Sequence, residues 1–299
     1  MKIAVLLTCF NRKEKTLSCL NSLYLALEAY NNKSEDKIEL SIYLTDDACT
    51  DGTGEAVKNN FIDKDITILQ GTGSLYWAGG MRLAWNEALK KHNEWDFYLL
   101  LNDDTDIFPK SFSLLMQTHQ YSMEHYGMGG VYTGATCAKD DSTLCTYGGD
   151  VWVNRMKGTT RRLSPIGIPQ MCVMTNANVL LVASEVVDKI GIFSKDYQHG
   201  MADSDYGIRA GKSGIPVLLT SEYCGACDND HTEHKVVAEC ICAMSLTERR
   251  RYFKHPMHSN SDYLRFIRNT SPMRLPMVWL GRMLNLYFPR FYYKLNNSR

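Results

Sequence analysis

Short apolar runs alternate with stretches whose apolar positions recur every third or fourth residue, from the first residue to about residue 220. The first run predicts a buried strand over residues 2–8, ending in the polar Cys9-Phe10-Asn11-Arg12. Leu17, Leu20, Leu23, Tyr24 and Leu27 then keep helical spacing over residues 13–30. A second strand over 38–45 stops at the turn-rich Asp46-Asp47-Ala-Cys-Thr-Asp51-Gly52-Thr53-Gly54. A helix to about residue 61 and a strand over 66–70 follow. The glycine-containing loop 71–80 then leads into a helix over 80–92. The strand over 97–101 halts at Asn102-Asp103-Asp104-Thr105. Strands alternating with helices predict a mostly parallel, doubly wound sheet, whose ligands lie outside the carboxyl ends of the strands. Every polar cluster just named falls at such an end.

Beyond residue 127 the pattern loosens. Gly148-Gly149 and Trp152 predict a small antiparallel excursion before residue 162. Residues 171–182 read as mixed strand and loop, 184–190 as a short helix, 206–213 as a helix and 217–220 as a last strand. A soft boundary near residue 225 separates a catalytic-type domain, 1–225, from a helical extension, 226–299.

Composition sharpens this division. The 33 basic and 33 acidic residues balance, which excludes a general nucleic-acid binder. From Thr247 onward, however, eleven Lys or Arg face only Glu248 and Asp262. This tail also carries Trp279, Tyr287, Phe288, Phe291, Tyr292 and Tyr293, a mixture suited to an anionic membrane surface or to a cap on the acidic body. Nothing approaches the length of a bilayer-spanning apolar segment. The opening residues lack a signal-peptide pattern, so the expected setting is cytoplasmic, with peripheral contact at the inner face of the membrane, and the ten scattered cysteines are expected as free thiols.

Four clusters carry candidate chemistry. Asp46, at a strand end, can accept the imide N–H of uracil or thymine, and it can equally shape the turn; Asp51 suits a helix cap. Asn102 and Asp104 lie on alternate residues after an apolar strand, a spacing that lets two oxygen ligands hold Mg²⁺ or Mn²⁺ on a pyrophosphate, with Asp106 next in register. The loop through Gly73, Ser74 and Gly79 permits close backbone approach. Arg82 on the following helix can meet a phosphate, and Trp77 can pack on a sugar or in the core. The loop is neither a Walker loop nor a GxGxxG fingerprint, which disfavours triphosphate hydrolysis and hydride transfer. Asp203 and Asp205 precede a helix; one can act as a general base while the other caps the helix or binds Arg209.

With these pieces in order, the chain resembles the family 2 glycosyltransferases of the GT-A fold over roughly residues 1–225. The similarity is greatest to a rhamnosyltransferase-like branch serving bacterial surface polysaccharides. The resemblance rests on Leu7-Thr-Cys-Phe-Asn-Arg12, Thr45-Asp-Asp-Ala-Cys-Thr-Asp-Gly-Thr53, Gly79-Gly-Met-Arg-Leu-Ala-Trp-Asn-Glu-Ala88, Leu100-Leu-Asn-Asp-Asp-Thr105 and Ala202-Asp-Ser-Asp-Tyr-Gly-Ile-Arg-Ala210. It implies an inverting, metal-dependent hexosyltransferase-type enzyme that moves a sugar from dTDP-rhamnose or a UDP-sugar to a glycan or polyprenyl-linked acceptor. It places the nucleoside on Thr8, Phe10, Asn11 and Arg12 and the base on Asp46. The DxD-type metal motif falls on Asn102-Asp103-Asp104, with Asp103 toward the donor, and the late acidic pair on Asp203 and Asp205. It also implies an acceptor contact at Asn176, beside Trp77, and a late metal-binding histidine at His231. Asn102 departs from the usual first aspartate, and Ala202 from the common Glu. The rivals are a sugar nucleotidyltransferase, which the glycine-free first loop disfavours, and a catalytically inactive sugar-binding module. Cys224, Cys227, His231, His234, Cys240 and Cys242 offer soft ligands for zinc, although their spacing fits no standard finger.

Overall fold

The computed structural model describes residues 1–229 and 234–297. The first half alternates β1 (Lys2–Cys9), α1 (Lys13–Asn31), β2 (Glu39–Asp46), α2 (Thr53–Asn60), β3 (Ile66–Gln70), α3 (Tyr76–Ala88) and β4 (Phe97–Leu101). The two-residue strand β5 (Asp106–Ile107) leads to α4 (Ser111–Tyr126), β6 (Val131–Cys137) and β7 (Cys145–Tyr147). A separate hairpin, β8 (Asp150–Asn154) with β9 (Thr159–Arg162), precedes β10 (Gln170–Met171), β11 (Val179–Ala183), α5 (Ser184–Ile190), α6 (Ala202–Lys212) and β12 (Val217–Ala226). Among the described residues, the α-helices that follow are α7 (His234–Ala243), α8 (Leu246–Lys254), α9 (Asn260–Thr270), α10 (Leu275–Tyr287) and α11 (Pro289–Asn297).

The main sheet runs β10-β12-β6-β11-β4-β1-β2-β3, with β5 added to β12 and β7 to β6. β3, β2, β1 and β4 are parallel. β11 is inserted antiparallel between β4 and β6, and β6 and β12 are again parallel. Strands covered on both faces must be apolar throughout, which is why β1, β4 and β11 are continuous hydrophobic runs.

β3, β2, β1, β4, β6 and β12 share one direction, so the sheet is mostly parallel as the pattern predicts, with β11 as the antiparallel insertion; the core strand that the pattern does not show is β6. Its sequence Val-Tyr-Thr-Gly-Ala-Thr-Cys does not read as a core strand, yet every residue is buried. The threonines are tolerated because Thr133 donates to the Asn176 carbonyl and Thr136 bonds the Thr146 hydroxyl. Gly134 permits close packing against β11, since a Cβ there would sit 2.9 Å from the Val179 Cβ.

The C-terminal helices are fastened by local chemistry and by packing. Ser245 and Glu248 form a capping box at the start of α8, and Ser259 caps α9. Phe266 and Ile267 of α9 join the main core, and buried Asp262 accepts the Gln198 N–H at 3.0 Å.

Candidate active site at the carboxyl edge of the sheet

Because β1, β2 and β4 are parallel neighbours, their polar ends emerge on one edge. Asp46, 7% exposed, closes β2 and accepts the Cys49 N–H at 2.7 Å. Its other oxygen nestles against Gly54, where a Cβ would come within 2.4 Å. Asn11, at φ 51°, ties the end of β1 to the same turn by accepting from the backbone N–H of Thr50 at 2.7 Å and Asp51 at 3.3 Å. Phe10 is exposed beside it. Asp51 takes the N–H groups of Lys13 and Thr53, the first residues of α1 and α2, from one position before Gly52, which is the N-cap of α2.

Asp47 has a role that the sequence reading missed. Its carboxylate accepts the N–H groups of Gly73, Leu75 and Tyr76 at 2.7, 2.9 and 3.2 Å, and so holds the glycine loop. Three backbone donors on one buried carboxylate leave no trace in sequence spacing, because the partners lie more than twenty residues away. The loop's Ser74 carbonyl accepts from the Gln198 side chain. Gly79 packs on Leu75, and Gly80 lies so close to β1 that a Cβ would meet the Thr8 Oγ1 at 2.1 Å.

At the end of β4, the Asn102 side-chain oxygen accepts the Trp77 indole N–H at 2.8 Å, while Trp77 also packs on Phe193. Trp77 therefore presents only part of its ring to the edge. Arg12 reaches across to Asp103 and Asp104 at 3.1 and 2.7 Å. Asp103, 5% exposed, is pushed up to about 6, chiefly by burial; Arg12 opposes the rise and neighbouring Asp104 adds to it. The Cys227 thiol approaches Asp104, and Asn178 bridges toward Thr105 and Cys227.

The late acidic pair lies within the first turn of α6, one helical turn earlier than the sequence pattern predicts. The Asn102 N–H donates to the Asn178 carbonyl, and the adjacent Ala177 N–H donates to Asp203 at 3.2 Å. This places α6 at the same edge as the end of β4. Asp203 also accepts the Ser204 N–H, lies against Asn176, and is raised above its ordinary value by burial. Asp205 differs: it is 1% exposed, with one oxygen on the Tyr197 hydroxyl and the other on Arg209 at 2.9 Å. Of the two readings open for the pair, the Arg209 partner is therefore Asp205.

Arg82 donates to the carbonyls of Ser194 and Tyr197 at 2.9 and 2.7 Å, tethering that loop to α3. Burial lowers the proton affinity of this guanidinium, and Arg12 is the arginine that meets the carboxylates at the end of β4. His231 lies outside the described residues.

A hard divalent cation requires oxygen donors, and Asn102, Asp103 and Asp104 supply them beside a single half-exposed guanidinium. Two adjacent carboxylates and an amide oxygen share one guanidinium, so the chemistry of the donor set fits such an ion. Among the described residues, the only group of three Cys, His, Asp or Glu ligand atoms within 4.8 Å of one another is Cys9, Asp46 and Cys49. Burial raises both of those thiols, which disfavours the thiolate that metal binding needs. Cys224 is buried in β12 and Cys227 is buried just past its end, whereas Cys240 and Cys242 ride on α7, and these four make no such group.

No family model matches the chain, and no curated protein sequence matches it. Solved structures do. S. aureus TarS 1–349 in complex with UDP aligns with a TM-score of 0.59 at 14% identity, over 100% of this chain and 92% of that one. The same fragment with UDP-GlcNAc gives 0.55 at 15% identity, over 98% and 88%. The mannosyltransferase PcManGT from Pyrobaculum calidifontis, in complex with GDP-Man and Mn²⁺, gives 0.51 at 16% identity, over 99% and 83%. The chain has the mixed α/β fold of these glycosyltransferase structures.

Proposed function

We propose that the protein is an inverting glycosyltransferase of the GT-A type that transfers a sugar from a nucleotide-diphosphate donor to a glycan or lipid-linked acceptor hydroxyl. The observation that carries this reading is the convergence of Asp46, the Asp103–Asp104 pair braced by Arg12, and Asp203 on one edge of the sheet. Thr8, Phe10 and Asn11 line the nucleoside side, and Asp46 accepts from the base. Asn102 and Asp104 would hold Mg²⁺ or Mn²⁺, which would neutralise the diphosphate as charge builds on it. Few protein ligands suit this task, since Mg²⁺ keeps waters and takes phosphate oxygens.

Asp203 is the general base. Its raised affinity for a proton brings it nearer the acidity that an efficient base needs at neutral pH. Asp205 positions it indirectly by fixing the first turn of α6 through Arg209 and Tyr197. Asn176 and the accessible part of Trp77 face the acceptor. A dTDP- or UDP-linked hexose, such as dTDP-rhamnose, is the donor class, and surface-polysaccharide assembly is the setting.

The test is incubation with a panel of nucleotide sugars, Mn²⁺ and acceptors, followed by product identification. Release of nucleoside diphosphate with glycoside formation supports transfer. Release of pyrophosphate from a nucleoside triphosphate and sugar phosphate assigns a nucleotidyltransferase instead. Binding without turnover across the panel assigns a sugar-binding module.

A further inference from the structure

In a water-facing helix packed on a protein body, apolar side chains turn inward and polar ones outward. α10 is built the other way. Pro276, Met277, Trp279, Leu280 and Tyr287 are all exposed, Trp279 by 53% and Leu280 by 54%. At 100° per residue they share one arc of about 160°. Asn285, on the opposite side, is 3% exposed and buried beside Tyr293. Phe288, 64% exposed, extends the apolar surface into the turn before α11. Among the described residues no helix is long and apolar enough to cross a membrane.

Beside this face runs an open groove of about 630 Å³, walled by Leu264, Leu275, Trp279 and Leu280. Arg265 and Arg268 of α9 stand on its rim. Each is anchored on one side, Arg265 to Asp262 and the Asp196 carbonyl and Arg268 near Asp196, while their side chains remain 46% and 58% exposed. The surrounding chain is one-signed: residues 263–299 contain seven Lys or Arg and no Asp or Glu.

We propose that α10 lies in the headgroup region of an anionic bilayer, with its outward face among the acyl chains and Arg265 and Arg268 on lipid phosphates. Charge complementarity selects this occupant. A second copy docked through this same face would bring two like-charged surfaces together, whereas an anionic lipid surface satisfies the arginines and the apolar arc at once. The inference rests on the α9–α10 surface alone and stands whether or not the protein transfers a sugar. If it does, the docked protein has access to acceptors carried on lipid.

The experiment is co-sedimentation of the full chain with vesicles of phosphatidylcholine alone or mixed with phosphatidylglycerol. Binding to the mixed vesicles is expected to exceed binding to neutral ones by about tenfold or more. Trp279→Ser with Leu280→Ser, at exposed sites where folding is preserved, is expected to lower the partition at least tenfold on both, a change confirmed against an unaltered circular dichroism spectrum. Arg265→Ser with Arg268→Ser is expected to remove the preference for the anionic vesicles. No vesicle binding, or binding undiminished in the Trp279/Leu280 variant, overturns the proposal. A concentration-dependent dimer abolished by that variant, without vesicle binding, reassigns the face to self-association.

Discussion

Asp103 gives the sharpest quantitative prediction, because its burial outweighs the opposing pull of Arg12 and raises it to about 6. Its acidity moves from the ordinary 3.8 to about 6, a difference that corresponds to about 3 kcal/mol of folding stability when the group is fully ionised. The sign follows from proton binding. Between those two values the folded protein holds a proton that the unfolded chain releases, so stability from this group is fully present below 3.8 and is lost as pH rises through about 6. Asp103→Asn removes this dependence while keeping the size and an oxygen acceptor for Arg12. Its free energy of unfolding, relative to the unaltered protein, is expected to improve by about 1.4 kcal/mol between pH 5 and pH 8. Comparing the two pH values cancels whatever the amide itself costs. Urea denaturation at both values, followed by circular dichroism, measures the difference. A relative stability that does not change with pH, or changes the other way, would refute the assignment of burial as the dominant influence on Asp103. A carboxylate retained at a cost to stability is the pattern of a residue kept for binding.

Asp203→Asn is expected to leave nucleotide binding unchanged in calorimetry while lowering kcat by at least about 10²-fold, the scale of a lost general base. In the unaltered enzyme, activity should fall as pH drops through the raised value of Asp203, a limb measurable in a kcat profile at saturating donor. Gly80→Ala forces a methyl group against Thr8 of β1 and should destabilise the fold by about 1–3 kcal/mol or more, seen as a lowered Tm. Chelation with EDTA is expected to abolish turnover, with recovery on adding Mn²⁺ in excess; full activity in the chelator would remove the cation from the mechanism.

Most of the parallel half was legible because its strands are buried on both faces and its helices on one. Residues 66–70 and 97–101 match β3 and β4 as predicted. The first four residues of α3, before Gly80, read as loop because Gly79 and Gly80 suggest a turn, yet Gly80 is required by the contact of α3 with β1. β6 escaped because its threonines and glycine break the apolar run, and only their partners, far along the chain, explain their burial. At the candidate site, the acidic clusters stand out as types at strand ends, but their division of labour does not. Nothing in Asp-Ser-Asp tells which carboxylate binds Arg209; the start of α6 at Ala202 settles it by placing Asp205 four residues before that arginine. Asp47 was passed over beside Asp46 because its work on the glycine loop is purely tertiary. The basic, aromatic tail was visible as composition, while the outward turn of α10 required the packed helices.

The proposed activity depends on carboxylates from separate stretches of chain meeting around one cation and one diphosphate. Isothermal titration of UDP, dTDP and GDP, each with and without Mn²⁺, into the unaltered protein and Asp104→Ala tests this most directly. Binding of at least one nucleotide that requires Mn²⁺ and disappears in Asp104→Ala is the predicted result. Failure of all three to bind in Mn²⁺, or equal affinity in the variant, would contradict it.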